Sequence, residues 1–217
     1  MCNLLSVNCI WFSVLDYPMS YIEFVGTVFY LLSVWLIARR NLLTWPTGII
    51  SVILYMILFY QIQLFSDTLE QGYYLVVSVY GWITWNTARN KPQESGEFRF
   101  SSKENILAGM VVTVVITLGL YGLTSNIHTI LPTLFPSPAS FPFLDALTTI
   151  MSFTAMWLMT RKRVESWVYW IIVDVIGIGL YYVKDVKFIA LLYVILLGMA
   201  IYGLWNWRQK LKNCERD

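Results

Sequence analysis

The chain has 217 residues, of which 58% are hydrophobic and 17% aromatic, while only 13% are charged. A soluble domain has about one quarter charged residues, and the mean hydropathy here is +0.61, so the composition is that of a membrane protein. A net charge of +2 is too small to indicate nucleic-acid binding. The cysteines, Cys2, Cys9 and Cys214, show neither metal-ligand spacing nor a disulfide framework, so we interpret them as incidental.

The first residues of the chain predict an interfacial segment at 1–17. No Lys or Arg precedes the apolar stretch from Leu4 to Leu15, and no small-residue cleavage pattern follows it, which argues against a signal peptide. At about 12 residues the stretch is also too short to cross about 30 Å of hydrocarbon.

Seven later apolar stretches are long enough to cross a bilayer as helices, since each runs for about 18 to 22 residues. Backbone in lipid must satisfy its hydrogen bonds within its own segment, and these stretches lack the alternation of barrel strands. The predicted spans are 20–38, 45–62, 67–87, 105–123, 143–160, 166–183 and 188–207.

Basic residues follow the odd-numbered predicted helices, and of the 15 only Lys184 and Lys187 lie on the other side. The positive-inside rule therefore predicts a cytoplasmic C-terminus and an external N-terminus, in a multi-pass protein of the inner membrane. The residues on the predicted cytoplasmic side are Arg39, Arg40, Arg89, Lys91, Arg99, Lys103, Arg161, Lys162, Arg163, Arg208, Lys210, Lys212 and Arg216.

An internal repeat relates the first three predicted helices to the last three, by a shift of 122 positions without a gap. Tryptophan and glycine matches carry the comparison, because apolar residues match by chance. The matched pairs include Trp35 with Trp157, Arg39 with Arg161, Trp45 with Trp167, Gly81 with Gly203, Trp85 with Trp207 and Glu23 with Asp145. Such a shift preserves the direction of crossing, so we predict an all-α membrane protein with seven transmembrane helices in 3+1+3 parallel repeats.

The predicted organisation has five parts. They are an N-terminal interfacial segment (1–17), a first three-helix repeat (18–87), a linker with the connecting helix (88–142), a second three-helix repeat (143–208) and a cytoplasmic tail (209–217). The duplication favours a translocation path between two rocking halves. The alternative is a duplicated bundle with no path.

Asp174 is the one formally charged side chain near the middle of a predicted span. Burying a carboxylate there costs about 2.5 to 3.5 kcal/mol, so an intramembrane Asp is a candidate functional residue. The alternative is a protonated or helix-capped Asp used in packing. Its counterpart in the first repeat is Val52, so we expect an asymmetric site.

Aromatic and polar residues form the second signal. Trp170 lies one turn from Asp174 on the same face of the sixth helix, and Gln71, Tyr74, Ser78 and Trp82 form one stripe on the third. We interpret Trp45, Trp85, Trp167 and Trp207 as interfacial anchors at helix ends. The stripe residues could instead hold helices together. The candidate substrate-binding residues are Asp174, Trp170, Gln71, Tyr74, Ser78, Trp82, Tyr193 and Asn206.

Enzyme chemistry has little support in the sequence. His128 is the single histidine, and there is no metal-ligand cluster, nucleotide-binding loop or nucleophile with a nearby base. We therefore expect neither a cofactor nor a metal.

Several stretches together resemble the Pnu-type vitamin transporters, and most closely the PnuC nicotinamide riboside transporters. The likeness runs from about residue 20 to near the end of the chain. The stretches are Trp45-Pro46-Thr47-Gly48, Phe59-Tyr60-Gln61-Ile62-Gln63-Leu64, Tyr80-Gly81-Trp82-Ile83-Thr84-Trp85, Phe141-Pro142-Phe143-Leu144-Asp145 and Thr160-Arg161-Lys162-Arg163-Val164-Glu165-Ser166-Trp167.

The resemblance implies a fold similar to that of the SWEET sugar transporters, a homotrimer, and facilitated diffusion of nicotinamide riboside. It also implies that a cytosolic kinase traps the vitamin by phosphorylation. The residues by themselves agree with an aromatic, hydroxylated solute but do not name it. Other vitamins such as thiamine or riboflavin, a sugar, proton coupling through Asp174, and a non-transporting membrane sensor remain open at this stage.

Overall fold

The computed structural model describes residues 3–14, 17–90, 98–130 and 140–214. Its elements in chain order are β1 (Ile10–Val14), β2 (Tyr17–Ser20), α1 (Tyr21–Ala38), α2 (Thr44–Gln61), α3 (Phe65–Asn90), α4 (Lys103–Ile130), α5 (Pro142–Thr160), α6 (Ser166–Val183) and α7 (Lys187–Cys214). All seven predicted helices are present, and α3, α4 and α7 end later than predicted. Six helices of the described ranges, all except α3, are long and apolar enough to cross a membrane. The chain is therefore a helical membrane protein.

The α3 helix differs from the others in polarity, not in length. It has 26 residues, and Asp67, Glu70 and Gln71 lie in its first two turns. All three side chains are half-buried, so they face other helices of the bundle at least in part.

Four helices end in the same left-handed turn. The left-handed residues are Arg40, Gln63, Lys162 and Asp185, with φ of 61°, 60°, 55° and 59°. Just after the first of them, the amide of Asn41 donates to the carbonyl of Leu36 at 2.9 Å, as in a Schellman helix end. The bond from Arg163 to the carbonyl of Leu158 is equivalent and also 2.9 Å long. The turns after α1 and α2 thus recur after α5 and α6, at the spacing of the internal repeat.

The helices pack in two groups. Within the first, α2 lies against α1 and α3, and within the second, α6 lies against α5 and α7. The groups meet where α1 contacts α7 and where α3 contacts α5, which are equivalent contacts under the repeat. The α4 helix packs against α5 at the edge of the bundle.

Four tryptophans form a buried cluster at one end of the bundle, which we call the basic end because the arginines after α1 and α5 lie there. Trp45, Trp167 and Trp207 are at most 1% exposed, and Trp85 is 5% exposed. The rings of Trp45 and Trp85 meet edge to face at 5.5 Å, as do those of Trp167 and Trp207. The interpretation of these residues as interfacial anchors is wrong, because their rings fill the core between the helices.

Two of the four indole groups of this cluster join the two helix groups through hydrogen bonds. Trp207 of α7 donates its Nε1 hydrogen to the carbonyl of Ile37 at 3.0 Å, at the end of α1. Trp85 of α3 donates to the carbonyl of Thr160 at 3.2 Å, at the end of α5. Carbonyls in the last turn of a helix lack the usual amide donor one turn further along the helix, so these bonds give two buried helix ends a donor from the other helix group. We call this pair of reciprocal bonds the indole clasp.

A short hairpin covers the other end of the bundle, which we call the hairpin end. Strands β1 and β2 pair antiparallel, where the sequence predicted only an interfacial segment. Tyr17 donates to the carboxylate of Glu23 at 2.7 Å, and burial together with this carboxylate raises the pKa of Tyr17 above its usual value. Cys9 is buried and disulfide-bonded, so the expectation that the cysteines are incidental is wrong for Cys9.

Gly203 tests whether the buried indoles support the fold. A Cβ atom at Gly203 would lie 2.5 Å from the Trp167 ring, and Gly81 is in the same relation to Trp45. We expect Gly203→Ala to lower the free energy of unfolding by about 1 to 3 kcal/mol, because a rigid buried ring must move. Thermal unfolding of the detergent-purified protein measures this.

Gly198→Ala is the matched control on the same helix, since a Cβ there has open space within 4 Å. Alanine favours helix, so this variant should be at least as stable as the wild type. Equal melting temperatures for the two variants would contradict close packing at Gly203.

Candidate functional site

Asp174 lies on α6 where the two helix groups meet. Its side chain is buried, with the residue only 3% exposed, and no hydrogen bond or ion pair to its carboxylate comes from a residue that the structure describes. Tyr30 of α1 and Tyr193 of α7 lie within electrostatic range of this carboxylate. Burying an ionised carboxylate without a partner is costly, so Asp174 would need a ligand or a polar path to stay charged.

Gly177 brings an aromatic ring next to Asp174. It lies three residues after Asp174 on α6, and a Cβ atom at this position would lie 2.6 Å from the ring of Tyr193. Only glycine lets the Tyr193 ring rest on the α6 backbone here. Tyr181 then stacks on Tyr193 with ring centroids 5.4 Å apart, so two rings and a carboxylate share one face of α6.

The α3 helix supplies the opposite side of the site. Tyr74 donates to the carboxylate of Glu70 at 2.9 Å, and its hydroxyl lies beside Ser152 of α5. Glu70 is within electrostatic range of both Tyr30 and Tyr193, which links α3 to the Asp174 side. Tyr73, the next residue, donates to the carbonyl of Phe153 at 2.9 Å and anchors α3 to α5.

Of the eight predicted residues, Asp174, Tyr193 and Tyr74 are brought into one group. Gln71 is half-buried next to Glu70, and Ser78 is buried two turns along α3 from Gln71. Trp170, although one turn from Asp174, packs against the buried tryptophan cluster at the basic end.

The two remaining predicted residues lie apart from this group. Asn206 donates its amide to the carbonyl of Ala38 at 2.7 Å, beside the indole clasp, so it joins helix ends at the basic end. Trp82 is 41% exposed, and none of the ring pairs of the described residues includes it. No described contact connects either residue with Asp174.

Tyr30 and Glu70 belong to the group but were not predicted. Tyr30 lies in the middle of α1, and its equivalent in the second repeat is Ser152, which also reaches the site. A comparison of polar positions between the two repeats would have found it. Glu70 was overlooked because it lies near the end of its span, where a charge is common.

Acidic side chains surround the hairpin end of this group. Asp67 is within electrostatic range of Asp145 and Glu70, and all three carboxylates are within electrostatic range of Tyr181. The ammonium of Lys184 lies 3.6 Å from a carboxylate oxygen of Asp145. We call Asp67, Glu70 and Asp145 the acidic rim. In the described ranges, no group of three or more His, Cys, Asp or Glu side chains is placed to hold a metal ion.

The sequence matches the family model of the nicotinamide mononucleotide transporters over residues 20–209. The chain belongs to this family. The resemblance to Pnu-type transporters that the motifs indicate is therefore confirmed.

Named relatives of the chain include transporters of two vitamins. The nicotinamide riboside transporter PnuC of Escherichia coli is 31% identical over 209 residues, which cover 88% of this chain and 86% of the relative. The riboflavin/roseoflavin transporter RibM of Streptomyces davaonensis is 27% identical over 201 residues, covering 90% and 88%.

A solved structure has the same fold. The crystal structure of the vitamin B3 transporter PnuC matches with a TM-score of 0.65 and 22% identity, over 89% of this chain and 83% of that one. At this identity the match establishes the fold and leaves the solute to the residues of the site.

Proposed function

We propose that this protein carries nicotinamide riboside across the bacterial inner membrane by facilitated diffusion. The observation that carries the proposal is the buried carboxylate of Asp174, which has no described partner and lies beside the ring of Tyr193. Nicotinamide riboside offers a cationic pyridinium ring and ribose hydroxyls. It therefore supplies a positive charge for the carboxylate and a flat ring that can lie against a tyrosine.

Charge separates the solutes that the relatives and the family model name. The carboxylates of Asp174 and the acidic rim, when ionised, would give the path a negative potential. The described residues place no Lys or Arg beside Asp174. A phosphorylated nucleotide would bring about two further negative charges at neutral pH, whereas the riboside is a cation. Riboflavin is neutral and gains less from these carboxylates. The negative path thus favours the riboside over its 5′-phosphate.

Aromatic and polar groups suit the two ends of the riboside. The pyridinium ring would stack on Tyr193, with Tyr30 on the far side of the carboxylate. The ribose hydroxyls would bond to Asp174, Gln71 and Tyr74, with Ser78 further along the path. We assign Trp170 to shaping this site from the basic end, and we give Asn206 and Trp82 no direct contact.

We further propose that the helices form 3+1+3 parallel repeats like those of the SWEET transporters, with α3 as the seventh span. Support comes from the left-handed turns that recur after α1 and α5, and from the reciprocal bonds of the indole clasp. Trp85 of α3 makes the same kind of bond as Trp207 of α7, and α7 is apolar enough to span. The polar side chains of α3 then face the path.

We propose that the basic end is cytoplasmic and the hairpin end external. The arginines after α1 and α5 support this orientation through the positive-inside rule. The disulfide at Cys9 supports it as well, because disulfides persist on the oxidising side of the membrane. The acidic rim then lies at the external entrance, where it attracts a cationic solute.

The same proposal includes a homotrimer and trapping by a cytosolic kinase, with no catalysis by this chain. Exposed apolar side chains on α4, such as Val111, Val115 and Leu118, face lipid or a neighbouring subunit. Since a uniporter only equilibrates its solute, phosphorylation on the cytoplasmic side would make uptake productive.

Counterflow of labelled riboside in liposomes that contain only this protein tests the function. We expect unlabelled nicotinamide riboside to drive counterflow, and the riboside phosphate, ribose, thiamine and riboflavin to compete weakly or not at all. Binding without flux would contradict transport and indicate a sensor. Strong competition by riboflavin would contradict the assigned solute.

Asp174→Asn tests whether Asp174 contributes to riboside binding or to the stability of the fold. The riboside affinity should fall at least about tenfold, because a charge-assisted interaction contributes about 1.5 to 3 kcal/mol. The melting temperature should stay equal or rise, since a neutral side chain replaces a buried carboxylate without a described partner. Calorimetric titration and thermal unfolding measure the two effects.

Asp185→Asn is the control for this variant, because Asp185 has an 82% exposed side chain in the turn after α6. It should leave affinity and stability unchanged. If Asp174→Asn lowers the melting temperature and keeps full affinity, Asp174 is a packing residue and its assigned role is wrong.

Gly177→Ala tests the position of the Tyr193 ring. The added methyl group would lie 2.6 Å from the ring carbon atoms and must displace them, so we expect weaker riboside binding. Gly179→Ala, two residues along the same helix, meets nothing within 4 Å and should bind as the wild type. Equal affinities for the two variants in a calorimetric titration would remove Tyr193 from the site.

A further inference from the structure

A second site is suggested by a cavity at the basic end, away from Asp174. Its volume is about 410 Å³, within the range of small-molecule sites. Four basic residues line it, together with the rings of Trp85 and Phe98. The basic residues are Arg39, Arg40, Arg89 and Lys162. Nothing in the proposed transport path uses them.

The charge of this cavity is not neutralised by the described residues. The ion pairs that the structure describes, Lys184 with Asp145 and Lys187 with Asp185, both lie at the hairpin end. Arg40, Arg89 and Lys162 form none. Four like charges around one cavity favour an anion, which would relieve their repulsion.

Aromatic rings form one wall of the cavity beside these charges. The ammonium of Lys162 lies 5.8 Å from the centre of the Trp85 ring and 5.7 Å from that of Phe98. Burial lowers the pKa of Lys162, and an anion in the cavity would oppose this effect. The site thus combines hydrogen-bond donors with a flat apolar surface.

The basic residues come from both helix groups. Arg39 and Arg40 follow α1, Arg89 lies near the end of α3, and Lys162 follows α5. Trp85, whose indole belongs to the clasp, lines the same cavity. An anion bound here would contact the loops that the indole clasp joins, so it would hold the two groups in their present arrangement.

We propose that this cavity binds a phosphate group, carried by a soluble nucleotide or by an anionic lipid headgroup. Arginine and lysine donors match the several acceptor oxygens of phosphate, and arginine pairs with it in two-point geometry. The site is separate from the transport path, so it does not depend on which solute crosses the membrane.

The test compares two double variants that remove the same charge. Arg40→Gln with Lys162→Gln removes two positively charged side chains from the cavity lining. Glutamine is compatible with the left-handed turn at both positions, since Gln63 adopts the same conformation in this chain. Arg208→Gln with Lys210→Gln removes two exposed cations of α7 that do not line the cavity. Arg89→Gln, at an exposed position, serves as a further variant if the first does not fold.

Two probes distinguish the sources of the phosphate. Calorimetric titration with adenosine monophosphate in detergent tests a soluble ester. Thermal unfolding in phosphatidylcholine nanodiscs with and without phosphatidylglycerol tests a lipid headgroup. We expect the wild type to respond to at least one probe, and the α7 variant to keep that response. In the cavity variant, the affinity for the nucleotide should fall at least about tenfold, or the effect of phosphatidylglycerol on the melting temperature should be lost.

A response to the nucleotide alone would assign a soluble ligand, and a response to phosphatidylglycerol alone would assign a lipid. Absence of both responses in the wild type would overturn the proposal. An equal loss in the two double variants would overturn it as well, because the effect would then be one of general surface charge.

Discussion

Carbonyl groups in the last turn of a helix need donors from elsewhere, and this requirement organises the basic end of the molecule. Trp207 donates to the end of α1, and Trp85 donates to the end of α5. Each bond crosses from one helix group to the other, so each group supplies a donor to a helix end of the other group. The buried rings around these bonds leave no room for a side chain at Gly81 or Gly203. The two groups are thereby fixed to each other at one end.

The site gains its asymmetry on this symmetric frame. The clasp, the left-handed turns and the glycines that face tryptophan all recur in both groups. Asp174 has no acidic counterpart, since Val52 occupies the equivalent position. A carboxylate on one side and tyrosine rings around it suit a solute with a cationic ring and a hydroxylated sugar. The duplicated parts hold the helices, and we propose that the parts that differ contact the solute.

Hydropathy and the internal repeat were enough to predict seven helices, because long apolar runs have few alternatives in a bilayer. The ends of α4 and α7 were not predicted, since these helices run on to Ile130 and Cys214, beyond the predicted 123 and 207. The depth of Asp174 was also readable from its position. The direction in which a tryptophan ring points could not be predicted, since a ring at a helix end can face lipid or the core. Trp85 and Trp207 face the core. Tyr30 and Glu70 were not predicted because contacts between helices depend on how each helix is rotated about its axis. The β1–β2 hairpin was not predicted because its segment is short.

The most direct test of the account is a structure of the protein with nicotinamide riboside bound, determined in nanodiscs. We predict that the pyridinium ring lies against Tyr193, and that the carboxylate of Asp174 lies within hydrogen-bond distance of the riboside, between the two helix groups. Density for the riboside only in the basic cavity or outside the acidic rim, with Asp174 free of contact, would contradict it.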